Sequence, residues 1–278
     1  MLVMALGYKY DFVLDRLVKT GSFQIRTNVS SAVYLNDKLA GNTSFLGNTF
    51  SKTRLLPRVY EVRVHKENFQ SWQKDVSISA GLLTDFPLVV LLPEDFTEKV
   101  IATTSFRSVK EIKFDKNEKT IELIDGATNV KINLGNGKII EPSPLKKNSA
   151  ESEPDSPDEK ILTNVLKSPD KTKKLEFTKY EIWVEWLEPS NYQPFHQTGD
   201  RELITRFAQP IYDVQWYKDS GHLLANVGGI IKFLEIDTRG GTNSYDTTST
   251  DWPFWYSSDK DAIYKFEKGK ITRISLRE

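Results

Sequence analysis

An all-β protein in two parts is the fold class this sequence predicts, and three observations carry it. Apolar residues alternate with polar ones from Gly21 onward, clusters of turn-forming residues interrupt that alternation at short intervals, and an aspartate-marked phrase recurs through the second half. The chain has 278 residues with 38% hydrophobic content, enough for two ordinary domains. Its 38 Lys and Arg balance its 38 Asp and Glu, so no global field recruits a polyanion, and nucleic acid is not an expected partner. With no cysteine, disulfide frameworks, thiolate catalysis and cysteine zinc sites are excluded together.

The N-terminal segment, residues 1–20, begins with the apolar run Met1 to Leu6. A membrane-spanning helix needs about 20 apolar residues, so the run is too short to span by itself. Two readings stand side by side. Tyr8, Lys9 and Tyr10 after an apolar run fit the headgroup end of a truncated membrane helix, and Phe12, Val13, Leu14, Leu17 and Val18 fit the apolar stripe of an amphipathic helix.

In residues 21–95 the period is two. Phe23 and Ile25, Val33 and Leu35, Val62 and Val64, and Val76 and Ile78 fall on common strand faces, as in a small antiparallel sandwich. Asn36-Asp37, Gly41-Asn42, Gly47-Asn48, Pro57-Arg58 and Ala80-Gly81 supply the turns. The run from Phe86 to Pro93 reads as a closing strand that exits at proline. Trp72 is expected in the core on the Val62 and Val64 face, and His65, without a ligand-forming neighbour, on a solvated loop edge.

The order "AVYLNDKLAG" followed by "LLPRVYEVRVHKENFQSWQKDVSISAG" resembles a PEGA domain over residues 20–93. Leu56, Pro57, Tyr60, Val62, Val64, Lys66, Phe69 and Trp72 match that pattern; Arg58 and Asn68 stand where glycines are usual, and of the name-giving motif only Ala32 remains. The resemblance implies an extracytoplasmic β-sandwich used for display or adhesion and not for catalysis.

In residues 96–278 the marker aspartates are Asp115, Asp170, Asp219 and Asp259, spaced by 55, 49 and 40 residues and each followed by two β runs. Several short strands per repeat at this period point to a β-propeller-like part with four recognisable repeats. The longest interval holds residues 141–160, polar, proline-bearing and poor in large apolar groups, which reads as a disordered excursion. Ser168-Pro169-Asp170 before Glu181-Ile182-Trp183-Val184, and Asp219-Ser220-Gly221 before Phe233 to Asp237, resemble repeats of the TolB or WD40-like type, with Lys171 where a glycine is usual. The two parts and an N-terminal membrane segment together resemble envelope proteins of uncultured candidate-phylum bacteria.

No constellation for catalysis is present in the sequence. Asn133 to Lys138 lacks the spacing of a phosphate loop and fits a hairpin turned at Asn136-Gly137; His196 and His222 have no serine or clustered carboxylates to complete a triad or metal site. The marker aspartates fit Asx-turns better than calcium ligands. An enzyme, a cofactor and a metal are therefore not expected. Aromatic residues concentrate in "WVEWLEPSNYQPF" and "STDWPFWYSS"; Trp183 and Trp255 follow the strand pattern of a core, whereas Trp186, Tyr192, Phe195 and Trp252, in or beside proline-containing loops, are the expected exposed contact set. The expected function is a membrane-tethered, non-enzymatic envelope protein that binds another protein or a cell-wall glycan. The alternatives are a structural surface-layer spacer and a hydrolase using a propeller funnel.

Overall fold

The computed structural model describes residues 7–106, 109–115, 119–125, 128–140 and 165–277; Met1 to Leu6 and the 141–160 excursion lie outside them. The chain is all-β, and no helix among the described residues is long and apolar enough to cross a membrane.

Residues 8–19 form a hairpin, β1 (Tyr8–Asp11) and β2 (Arg16–Lys19), and not the helix that the spacing of Phe12, Leu14, Leu17 and Val18 implied. The physical reason is local. Asp15 sits at φ 51°, and the Asp11 carboxylate accepts from the Val13 N–H at 2.9 Å, so the apolar residues that mimic a helical stripe form a turn.

Seven strands follow: β3 (Gly21–Thr27), β4 (Ala32–Leu35), β5 (Lys38–Asn42), β6 (Thr49–Leu55), β7 (Val59–His65), β8 (Trp72–Ser77) and β9 (Leu83–Val89). They make a three-stranded sheet, β6-β3-β9, and a four-stranded sheet, β5-β4-β7-β8. One core joins the two: Phe23, Ile25 and Phe86 meet Val33, Val62, Val64, Trp72 and Val76. Each such side chain, fully buried, is worth about 1.5–3 kcal/mol. The sandwich is not wholly antiparallel, because β9 runs parallel to β3. Beyond β9 the apolar run becomes a seam: Leu91 packs into the sandwich core, while Val90 and Leu92 pack into a core of the second part.

The second part consists of β10 (Glu98–Thr103), β11 (Glu111–Asp115), β12 (Thr120–Asp125), β13 (Thr128–Asn133), β14 (Ile139–Ile140), β15 (Leu166–Lys167), β16 (Lys173–Phe177), β17 (Glu181–Trp186), β18 (Arg201–Arg206), β19 (Ile211–Trp216), β20 (His222–Val227), β21 (Ile230–Glu235), β22 (Ser244–Ser249), β23 (Trp255–Ser257), β24 (Ala262–Glu267) and β25 (Lys270–Ser275). They form four-stranded antiparallel sheets β11-β12-β13-β14, β15-β16-β17-β18, β19-β20-β21-β22 and β10-β25-β24-β23. The four sheets suggest repeat units: Asp170, Asp219 and Asp259 lie in the connections β15–β16, β19–β20 and β23–β24, whereas Asp115 is the last residue of β11 and pairs with Thr120.

The last sheet takes its outer strand, β10, from the start of this part. Shared cores place β15–β18 against β19–β22, β19–β22 against β23–β25, and β23–β25 against β11–β14. Among the described residues no such core joins β11–β14 to β15–β18, although these sheets are consecutive in the chain. The outward face of β15–β18 is charged and laced with ion pairs, Lys174 to Glu185 at 2.8 Å and Arg201 to Glu176 at 3.1 Å. Trp183 belongs to that face and not to the core: Arg201 lies 4.4 Å over its ring.

The marker turns explain the glycine pattern. Lys171 stands at φ 66° and Ser220 at φ 59°. Asp170 Oδ1 accepts from the Thr172 N–H at 3.0 Å, and Asp219 Oδ1 from the Gly221 N–H at 2.8 Å, as Asx-turns do. Burial opposes charge on Asp170, but hydrogen bonds from Ser168 and Thr172, aided by Lys173, outweigh it and hold the carboxyl down at about 2. A left-handed lysine is strained relative to glycine, so Lys171→Gly is expected to raise stability by about 0.5–1 kcal/mol, read as a higher denaturation midpoint at unchanged slope.

Candidate binding groove

The sandwich is seated on the sheets through polar groups withdrawn from water. Lys74, on β8, pairs with Glu235, at the end of β21, at 3.0 Å, with side chains 0% and 4% exposed. Glu235 Oε2 also accepts from Trp72 Nε1 and from Asn243 Nδ2, both at 3.1 Å, and Lys74 Nζ donates to the Asp237 carbonyl. Arg239 lies 4.1 Å over the Phe86 ring and donates to the Asp85 carbonyl at 2.8 Å and to Gln193 Oε1 at 3.0 Å. Gln193 in turn donates to the Leu83 carbonyl at 2.7 Å, and Tyr245 to the Ser71 carbonyl at 3.0 Å. At Gly240, φ is 67° and an added Cβ would lie 2.3 Å from the Asp75 carbonyl oxygen. Gly240→Ala is therefore expected to cost about 1–3 kcal/mol and to raise amide exchange along β8 and the 236–243 loop.

Two clefts share Lys218, and the sandwich forms a wall of the first alone. One, about 470 Å³, lies between the sandwich, at Arg26, Asn28 and Phe69, and the sheets, at Tyr217 and Arg277. The other, about 450 Å³, opens on the sheets between Lys167, Gln215, Trp216 and Tyr256. Both fall within the range of ligand-holding clefts. Their common wall is ordered by Asp261, which accepts from the Tyr217 hydroxyl at 3.0 Å, the Tyr256 hydroxyl at 3.0 Å and Lys218 Nζ at 2.5 Å. Burial first, and then the Asp261 charge, push both tyrosine hydroxyls well above the ordinary range, so each stays protonated and donating. Asp219 is engaged as well: His222 Nδ1 lies 2.8 Å from its carboxylate. Burial works against charge on both partners, yet their mutual attraction prevails, holding Asp219 below and His222 above its usual value. The acids of the groove are thus occupied, while Arg26, Lys167 and Arg277 are exposed on its rim.

The residues expected as an exposed contact set do not form one surface. Trp186, the last residue of β17, is 3% exposed in the core between β15–β18 and β19–β22, because it continues the inward alternation of Ile182 and Val184; its ring stacks on His196 at 3.5 Å. Tyr192 is half-buried, its hydroxyl accepting from Lys173 Nζ at 3.4 Å. Trp186 and Tyr192 meet at a cavity of only about 40 Å³ beside Phe86 and His196. Burial lowers the His196 pKa despite Glu202 and Asp200 nearby. Phe195 is 67% exposed, and Trp252 packs, half-buried, on the core between β23–β25 and β11–β14. Trp255 and Trp72 are core residues, as the strand pattern predicts. What sequence reasoning passed over is the wall of the groove. Its one signal is the repeated Trp-Tyr pair, Trp216-Tyr217 and Trp255-Tyr256, just ahead of two marker aspartates.

Among the described residues no group of three or more His, Cys, Asp and Glu is placed to hold a metal ion. No protein-family model matches the chain, and no curated protein matches it in sequence. Among solved structures it is similar to the extracellular domain of a hybrid two-component system from B. thetaiotaomicron, at 11% identity and a TM-score of 0.28, over 96% of this chain and 31% of that one. Kluyveromyces lactis Hsv2 aligns at 13% identity and a TM-score of 0.28, over 77% of this chain and 60% of that one. The WD40 domain of SCAP from fission yeast aligns at 9% identity and a TM-score of 0.24, over 61% of this chain and 50% of that one. The chain thus spans less than two thirds of the length of each. All three likenesses are remote.

Proposed function

We propose that this is a non-enzymatic envelope protein in which the four-sheet part, with the sandwich as a second wall, holds an extended, carboxylate-bearing segment of a partner protein. The observation that carries the reading is the pair of clefts that both reach Lys218, where Asp219 and Asp261 are already engaged by His222, Tyr217 and Tyr256 and exposed Arg26, Lys167 and Arg277 remain to meet an acidic ligand. Envelope placement rests on the resemblance of residues 20–93 to the PEGA pattern. A cell-wall glycan is the second reading, favoured by Asn28, Gln215, Phe69 and Trp216 in the same walls.

The test is binding of the full chain to immobilised acidic peptides and to cell-wall glycan fragments across a salt series. Salt-sensitive capture of acidic peptides supports the first reading, and salt-insensitive capture of glycan fragments the second. Capture of neither leaves the spacer alternative standing and sinks both.

A further inference from the structure

The β1-β2 hairpin presents an exposed apolar tip on a stem of tyrosines and cations. In its register Tyr8 faces Lys19 and Tyr10 faces Leu17, so Tyr8, Tyr10, Leu17 and Lys19 share one face. Phe12 extends that face, its ring 5.1 Å from Tyr10. At the tip Phe12 is 89% and Val13 81% exposed, with Leu14 beside them also exposed. Such side chains gain nothing by standing in water, and here a dedicated scaffold holds them there. The Asp11 carboxylate accepts from the Val13 N–H at 2.9 Å, is clamped by Arg58 at 2.6 Å and is itself buried; the Gly7 carbonyl accepts from the Thr20 N–H at 2.8 Å at the foot of the stem.

We infer that this hairpin inserts its tip into the interfacial zone of an anionic lipid bilayer. The order of chemistry along it is the order of depth in a membrane: apolar Phe12, Val13 and Leu14 at the tip, the amphipathic rings of Tyr10 and Tyr8 behind, and the cations Lys9, Arg16 and Lys19 on the stem. The charge is complementary as well, because the Asp11 carboxylate is already neutralised by Arg58, so three stem cations face the headgroups against one exposed carboxylate, Asp15. This deepens the envelope reading by naming the surface that the protein meets. It does not depend on the groove, whose ligands are assayed without lipid.

The experiment is flotation of the full chain with vesicles of phosphatidylcholine alone and of phosphatidylcholine with phosphatidylglycerol. The wild type is expected to float with the anionic vesicles, less so as salt is raised. Phe12→Ser with Val13→Ser and Leu14→Ser, which touch no core, should lower partitioning at least about tenfold at an unchanged melting temperature. Lys9→Gln with Lys19→Gln should erase the preference for anionic over neutral vesicles. The inference is overturned if the wild type does not float, if the tip variant floats equally well, or if the tip instead drives self-association in solution without lipid. Failure of the peptide and glycan assay alongside successful flotation would remove the groove and leave the hairpin.

Discussion

Replacing Glu235 by alanine is expected to destabilise the protein by about 3–5 kcal/mol, because it strands the buried Lys74 ammonium without its partner. The Trp72 indole N–H and the Asn243 amide lose their acceptor in the same step. Lys74→Met combined with Glu235→Gln removes both charges while leaving an amide oxygen for Trp72, and should recover most of that loss. Denaturant unfolding of the single, double and parent proteins measures the cycle, and amide exchange should locate the Glu235→Ala defect on both β8 and the 236–243 loop. A loss below about 1 kcal/mol for Glu235→Ala would mean that water reaches the pair and that the sandwich is not firmly seated.

Asp261→Ala carries the second large effect. It leaves two buried tyrosine hydroxyls and the Lys218 ammonium without their common acceptor, and about 2–4 kcal/mol is expected from donors orphaned together. Asp261→Asn keeps one side-chain oxygen and should lose roughly half as much. Because Tyr217 and Lys218 also line the cleft, the alanine variant should weaken ligand capture in proportion to its disorder of the wall, whereas Asn should largely preserve capture. Equal capture by the parent and a destabilised Asp261→Ala protein would detach the groove from this polar cluster.

Much of the architecture was legible because local period and turn chemistry agree. Phe23, Ile25, Val62, Val64 and Val76 alternate cleanly since one face of each strand is buried, and Asp170 and Asp219 recur because the same Asx-turn opens both repeats. The hairpin was not legible: neither of its faces packs into a core, so no alternation disciplines it, and Phe12, Leu14 and Leu17 imitate a helical stripe. The proline loop after Trp186 masks the inward parity that it shares with Ile182 and Val184, and Trp183, of opposite parity, faces outward although it lies in the same apolar strand.

Non-local pairings left no local trace. The parallel match of β9 with β3 and the pairing of β10 with β25 join segments far apart in the chain. The groove is assembled the same way, from Arg26, Lys167, Lys218, Asp261 and Arg277. Sequence composition, with its net charge of zero, conceals this local basic rim.

The most direct test of the central claim is capture from envelope extract by the full chain beside Arg26→Glu with Lys167→Glu and Arg277→Glu, three exposed substitutions that leave every core residue in place. The groove predicts one salt-sensitive protein partner retained by the parent and lost from the variant at an unchanged melting temperature. The same partner retained equally by both would contradict it.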